Sequence, residues 1–256
     1  RLPEEKTEAS VVKILVSLGL GDSLIECLIR PITQLEQVQE VLLVRTRPGL
    51  KLPKVRYYCP PRFMSKLPPL ATLYKLFILL YLSIIKKPDL IQSFLIFPHG
   101  VIAFAASKLT RKHVSIMLNA GPVELYGIGG SPLGVDVTKP LHWSGKIYLW
   151  MLKRCDAILV INSLTKVFLV EHGVNKERIH ILPQPVNTHK YHPMLIPKRY
   201  DVISVGRLAP VKHIEVLFKA IAVVKLNHPD IKAGIVGDGP FRGSLEDIAT
   251  ELGISE

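Results

Sequence analysis

Short apolar runs alternate with amphipathic stretches along nearly the whole chain, and this alternation restricts the fold more than any other feature. Val11–Ser17 (VVKILVS), Glu40–Arg45 (EVLLVR), Val55–Cys59 (VRYYC), Leu90–Phe94, Val114–Leu118 (VSIML) and Ala157–Ile161 (AILVI) read as strands. Their near-continuous apolar character is that of strands covered on both faces. Between them the spacing predicts helices over 22–37, capped by Asp22 or Ser23, then over 70–86, 100–108, 140–153 and 164–172. Strands separated by helices pair in parallel through crossover connections. The expected class is therefore α/β, with doubly wound, Rossmann-like parallel sheets.

The alternation lapses over 179–199, which holds Pro183, Pro185, Pro193 and Pro197 and reads as an interdomain connection. It then restarts with a strand at 201–205, a helix at 214–226, a strand at 232–236, the turn Gly237-Asp238-Gly239-Pro240 and a helix at 242–252. Two domains are expected, 1–196 with its linker and 197–256, the second being the incomplete opening of another Rossmann-like unit. Arg1 opens the sequence in place of Met, and the sequence stops just past a helical pattern, so a piece of a longer protein is expected.

A net charge of +12 favours an anionic partner: nucleic acid, a phosphorylated substrate or an acidic membrane surface. No block of five like charges and no aromatic-interleaved basic stripe occurs, which argues against nucleic acid. Cys27, Cys59 and Cys155 are odd in number and far apart, without a C-x-x-C or a zinc-type spacing, which fits a reducing, cytoplasmic setting. Val11–Leu20 is too short and too glycine-punctuated for a secretory signal. Leu70–Ile85 is strongly apolar, with Lys75 inside it and Lys86-Lys87 after it. It is shorter than the roughly 20 residues of a spanning helix. It reads either as a helix packed on a sheet or as one lying on a membrane surface, at the inner face of the cell membrane.

Chemistry concentrates in Ser204–His213 (SVGRLAPVKH), at a strand end that opens a helix. Gly206 lets the backbone approach a ligand, Arg207 offers a two-pronged donor and Lys212 a point charge. With the helix N-terminus, these suit a diphosphate. Two solvated cations at a domain edge are the plain alternative. The turn Gly19-Leu20-Gly21 follows the first strand and is either a tight turn or an anion-binding row of N–H groups. His99 opens a helix at a strand's carboxyl edge, as a cleft residue or a cap. The stretch 121–134, with Glu124, Tyr126 and Gly129-Gly130, is either an acceptor loop or a long connector.

The block SVGRLAPVKHIEVLFKAIAVVKLNHPDIKAGIVGDGPFRGSLEDIATELGI closely resembles the start of the donor domain of family 4 glycosyltransferases, retaining enzymes of the GT-B fold. Gly206-Arg207-Leu208, Lys212, Pro229 and Gly237-Asp238-Gly239-Pro240 follow the family order, with His213 where a Gly usually follows the Lys. Arg154–Asn162, Glu171–Val174 and Pro183–Asn187 followed by Tyr191-His192-Pro193 resemble, less specifically, the end of the family's first domain and its crossover. The resemblance implies that Arg207 and Lys212 hold the donor diphosphate, that Gly19 and Gly21 face its phosphates, and that Gly237, Asp238 and Gly239 lie near the nucleoside. His99 and Asn119 become the expected catalytic positions, Asn119 standing where the family usually has a His. No Asp-x-Asp motif ends a strand, so no metal and no cofactor are expected, the substrate being a nucleotide sugar such as a UDP- or GDP-sugar.

The implied function is retaining sugar transfer to a glycan or lipid-linked acceptor, as in polysaccharide biosynthesis, with a peripheral membrane contact and no nucleic acid. The alternatives are a GT-B-fold sugar-nucleotide epimerase and a non-catalytic anion- or membrane-binding module. The family's paired Glu residues would lie beyond Glu256, so little turnover is expected of these 256 residues alone.

Overall fold

The structure is a computed structural model that describes residues 11–19, 21–126, 139–188 and 190–255. It divides into two compact units between Tyr191 and His192, inside the proline-rich segment.

The first unit is built on seven strands: β1 (Val12–Ser17), β2 (Val38–Val44), β3 (Val55–Tyr58), β4 (Leu90–Phe94), β5 (His113–Leu118), β6 (Ala157–Val160) and β7 (Ile179–Ile181). All pair in parallel, in the order β3-β2-β1-β4-β5-β6-β7. The crossovers carry helices α1 (Asp22–Gln34), α2 (Arg62–Ser65), α3 (Pro68–Ile85), α4 (Val101–Thr110), α5 (Trp143–Leu152) and α6 (Ser163–Glu171). Successive residues of a strand point to opposite faces, and β1 shows why its apolar run is continuous. Leu15 packs with Leu79, Leu82, Ile102 and Ala103 of α3 and α4, whereas Val16 packs with Ile25, Leu28 and Ile29 of α1. The chain winds outward from β1 in both directions, which puts the topological switch between β1 and β4.

The strand–helix order matches the sequence expectation apart from the added four-residue helix α2 and two further differences. Helix α1 stops at Gln34 rather than near 37, because Leu35 turns to extended geometry. Ile179–Ile181 is a strand where a connection is expected. It is a three-residue edge strand with only Ile179 buried, too short to show a period. Helix α3 buries Ala71, Lys75, Leu79, Leu82 and Ser83 against the sheet layer and leaves Leu73, Phe77, Tyr81 and Ile84 exposed.

The second unit pairs β8 (Val202–Val205) with β9 (Ala233–Val236) in parallel, joined by α7 (Ile214–Lys225) and followed by α8 (Arg242–Glu251). Leu208, Ile214, Phe218 and Leu245 form its core. Ile203 and Val205 of β8 are exposed.

Candidate functional site

In doubly wound sheets, ligands bind beyond the carboxyl ends of the strands at the switch point. There the structure brings together two of the residues singled out by sequence. His99, in the turn between β4 and α4, is 5% exposed, and its Nδ1 lies 3.0 Å from Oγ of Ser17, the last residue of β1. Its other ring edge abuts the β1 turn: a Cβ on Gly19 would come within 2.6 Å of His99 Nε2. Gly19 is therefore required by the ring beneath it. Burial, helped by the nearby Lys75 ammonium, lowers the His99 pKa to about 3. The imidazole is thus neutral at pH 7, one nitrogen a donor and the other an acceptor. This geometry supports a turn rather than a proton shuttle open to solvent. Gly21 is the N-cap of α1 and has open space around it; Leu20 lies outside the described residues.

The sequence reading puts Glu124 on an acceptor loop, and the structure turns it inward instead. It is 2% exposed. Ile96 N–H donates to its Oε2 at 2.8 Å and Ala120 N–H to its Oε1 at 2.7 Å. Burial pushes its carboxyl up from the ordinary value, against the pull of backbone bonds that include one from Asn119. Glu124 so ties the loop after β5 to the loop after β4, where Leu95 holds φ 77°. A bulky residue at such an angle needs its surroundings to impose it. Tyr126 sets its ring 6.3 Å from that of Phe168 and is partly buried against the core. Gly129-Gly130 lie outside the described residues.

Asn119 directly follows β5. Both polar atoms of its amide are buried without a hydrogen-bond partner among the described residues. An unpaired buried polar group costs about 1–3 kcal/mol, a cost that a ligand bonding this amide would relieve.

In the second unit, the loops after β8 and β9 close on one another. Gly206 N–H donates to Val236 O at 2.9 Å, Leu208 N–H to Asp238 O at 3.0 Å and Phe241 N–H to Leu208 O at 3.1 Å. A side chain on Gly237 would strike Gly206 O, and one on Gly239 would strike Leu208 O. The two glycine motifs thus form one backbone unit. Asp238 takes part through its carbonyl and through Oδ1, which accepts from Gly239 N–H at 2.8 Å. Arg207 and Lys212 leave this platform exposed, on the carboxyl side of β8 and ahead of α7, without a partner among the described residues. His213 adopts φ 49°, ψ 40°, the left-handed geometry that Gly would supply.

Residues that sequence reasoning missed lie beside the first-unit turn. Arg45, after β2, is 6% exposed and pairs with Asp22 Oδ1 at 2.6 Å. Lys75 of α3 is also 6% exposed and donates to Thr46 Oγ1 at 3.0 Å. A charge inside an apolar helix was the visible signal for Lys75. Among the described residues no three His, Cys, Asp or Glu side chains group as metal ligands.

The pattern of the family described as "Glycosyltransferase Family 4" matches residues 34–190, and that of "Glycosyl transferases group 1" matches 192–256. An uncharacterized glycosyltransferase, YqgM of Bacillus subtilis, is 25% identical over 109 residues, 41% of this chain and 30% of YqgM. Among solved structures, Anabaena Alr3699/HepE in complex with UDP-glucose superposes with a TM-score of 0.65 at 17% identity, covering 96% of this chain and 67% of that one. The lipopolysaccharide outer core galactosyltransferase WaaB, apo form, gives 0.59 at 17% identity, covering 95% and 66%. The structural likenesses establish the fold, and the chain spans about two thirds of the length of those structures.

Proposed function

Because the chain belongs to glycosyltransferase family 4, we propose that it moves a sugar from a nucleoside-diphosphate donor to an acceptor with retained anomeric configuration. The observation that carries this reading is the closed pair of glycine loops after β8 and β9, with Arg207 and Lys212 exposed beside it. A guanidinium, an ammonium and the N-terminus of α7 suit the two phosphates of a UDP- or GDP-sugar. Fixed cations help most where charge grows, and here it grows on the departing diphosphate. That work needs no divalent ion. Gly237, Asp238 and Gly239 are read as the nucleoside side of this platform.

The first unit is read as the acceptor side. Gly19 and Gly21 are read as offering N–H groups to phosphate oxygens, and the unpaired Asn119 amide as hydrogen-bonding sugar hydroxyls. His99 and Glu124 position these loops. Asn119 can donate and accept but cannot relay a proton, so its part is binding. The exposed apolar side of α3, flanked by Lys86 and Lys87, fits a peripheral contact with a membrane and hence a lipid-linked glycan acceptor at its cytoplasmic face.

Titration of UDP and GDP tests the donor site. The chain is expected to bind one of them, and Arg207→Ala to weaken that binding at least tenfold, since a charge-assisted pair is lost. Equal binding by both proteins, or none by either, overturns the reading.

A further inference from the structure

The net charge is distributed unevenly between the units. Residues 192–256 carry eight Lys and Arg against eight Asp and Glu, so the whole +12 belongs to residues 1–191. The unit read as holding an anionic donor is neutral, and a nucleotide sugar therefore does not account for the excess.

Part of that excess gathers in one cleft of about 740 Å³ beyond the carboxyl ends of β1, β2 and β3, lined by Gly19, Gly21, Asp22, Arg45, Arg47 and Cys59. Two elements bring cations to it or beside it. Arg45 and Arg47 follow β2, the first buried and the second exposed. Lys75 rises from α3 beneath the floor, bonded to Thr46 Oγ1, and Thr46 itself lines the cleft. Among the described residues the one lining carboxylate is Asp22, whose side chain is 53% exposed and is paired with Arg45. Helix α1 opens at the same place with Gly21 as its N-cap and no side-chain cap, leaving first-turn N–H groups to the cleft.

Lys75 is the telling group. A buried ammonium is ordinarily matched by a carboxylate, yet no acidic side chain pairs with it among the described residues, and its bonded partner is a neutral hydroxyl. Beside it lie Arg45, of the same sign, and Cys59, whose thiol burial holds toward the neutral form. A second buried cation beside the first is stable only at a cost that an anion in the cleft would offset.

Resting on the reading of the first unit as the acceptor side, we infer that this cleft is an anion subsite for a phosphate-bearing acceptor. The phosphate would meet Arg45 and Arg47 in the cleft, with Lys75 acting from behind Thr46 and the α1 N-terminus alongside. The phosphate is either carried by a soluble sugar phosphate or borne on a lipid.

Inorganic pyrophosphate, titrated calorimetrically into the chain, probes the subsite. Lys75→Met keeps the length and apolar stem of the buried side chain while removing the charge, and Arg47→Ala changes only an exposed group. Pyrophosphate affinity is expected to fall at least tenfold in Lys75→Met and severalfold in Arg47→Ala, with both variants melting within a few degrees of the parent. Arg207→Ala should keep this Lys75-dependent binding, and Lys75→Met should keep the binding of UDP or GDP. A parent chain that binds neither UDP nor GDP, yet binds pyrophosphate in a Lys75-dependent way, therefore sinks the donor reading and spares the subsite. Pyrophosphate binding that ignores both Lys75 and Arg47 overturns the subsite and spares the donor reading. Pelleting with vesicles that bear a phosphate monoester lipid distinguishes the sources. Capture that falls in Lys75→Met assigns a lipid-borne phosphate, and capture unchanged while pyrophosphate binding falls assigns a soluble one.

Discussion

His213 sits in the left-handed region, with its exposed ring 3.2 Å from Glu215 Oε1. That geometry is strained for a side chain with a Cβ, by about 1–2 kcal/mol, whereas Gly adopts it freely and gives back part of the gain as unfolded-state entropy. His213→Gly is therefore expected to stabilise the second unit by roughly 1 kcal/mol. The measurement is urea unfolding, and no gain would mean that the His213–Glu215 contact offsets the strain. The family's Lys-Gly pair is broken here in sequence but kept in backbone shape. His99 makes a second prediction. Its folded pKa, about 3, lies below the unfolded value near 6.5. The stability tied to its neutral form is complete above 6.5 and is lost as pH falls toward 3. The slope contributed is at most about 1.4 kcal/mol per pH unit. Glu124, pushed upward by burial, has the opposite sign and gains stability as pH falls. The difference between parent and His99→Gln isolates the histidine, and the variant should show the flatter acid limb of stability against pH.

Helix α3 illustrates what an element's pattern can and cannot tell. Its apolar run made both a packed helix and a surface-lying one readings of the sequence; the structure packs one face on the sheet, and the exposed face leaves the membrane contact as a proposal. Leu79 and Leu82 are in the core, while Leu73 and Phe77 are each 63% exposed. Changing the exposed pair should leave the fold intact. Leu73→Glu with Phe77→Glu is expected to cut pelleting with phosphatidylglycerol vesicles at least tenfold, while undiminished pelleting would remove α3 from the membrane contact. Strands long enough to alternate between two covered faces, such as β1 and β5, were legible because burial on both sides writes a continuous apolar run. The edge strand β7 was not, since three residues with one buried side chain carry no period.

At the scale of the whole molecule, the closed pair of glycine loops was legible because Gly206–Lys212 and Gly237–Pro240 are contiguous motifs whose spacing survives in one dimension. The cationic cleft was not legible. Its charges come from β2, α1 and α3, separated by tens of residues and joined only by the crossover topology. Glu124 was misread for the same reason: nothing local to residues 120–126 reveals that Ile96 will present its N–H there. The imidazole wedged below Gly19 also has a mechanical meaning. With His99 anchored to Ser17 on one side and pressed to Gly19 on the other, Gly19 has no room to move toward the sheet. Under the proposed function, a ligand at this turn meets a packed imidazole beneath Gly19 rather than open space.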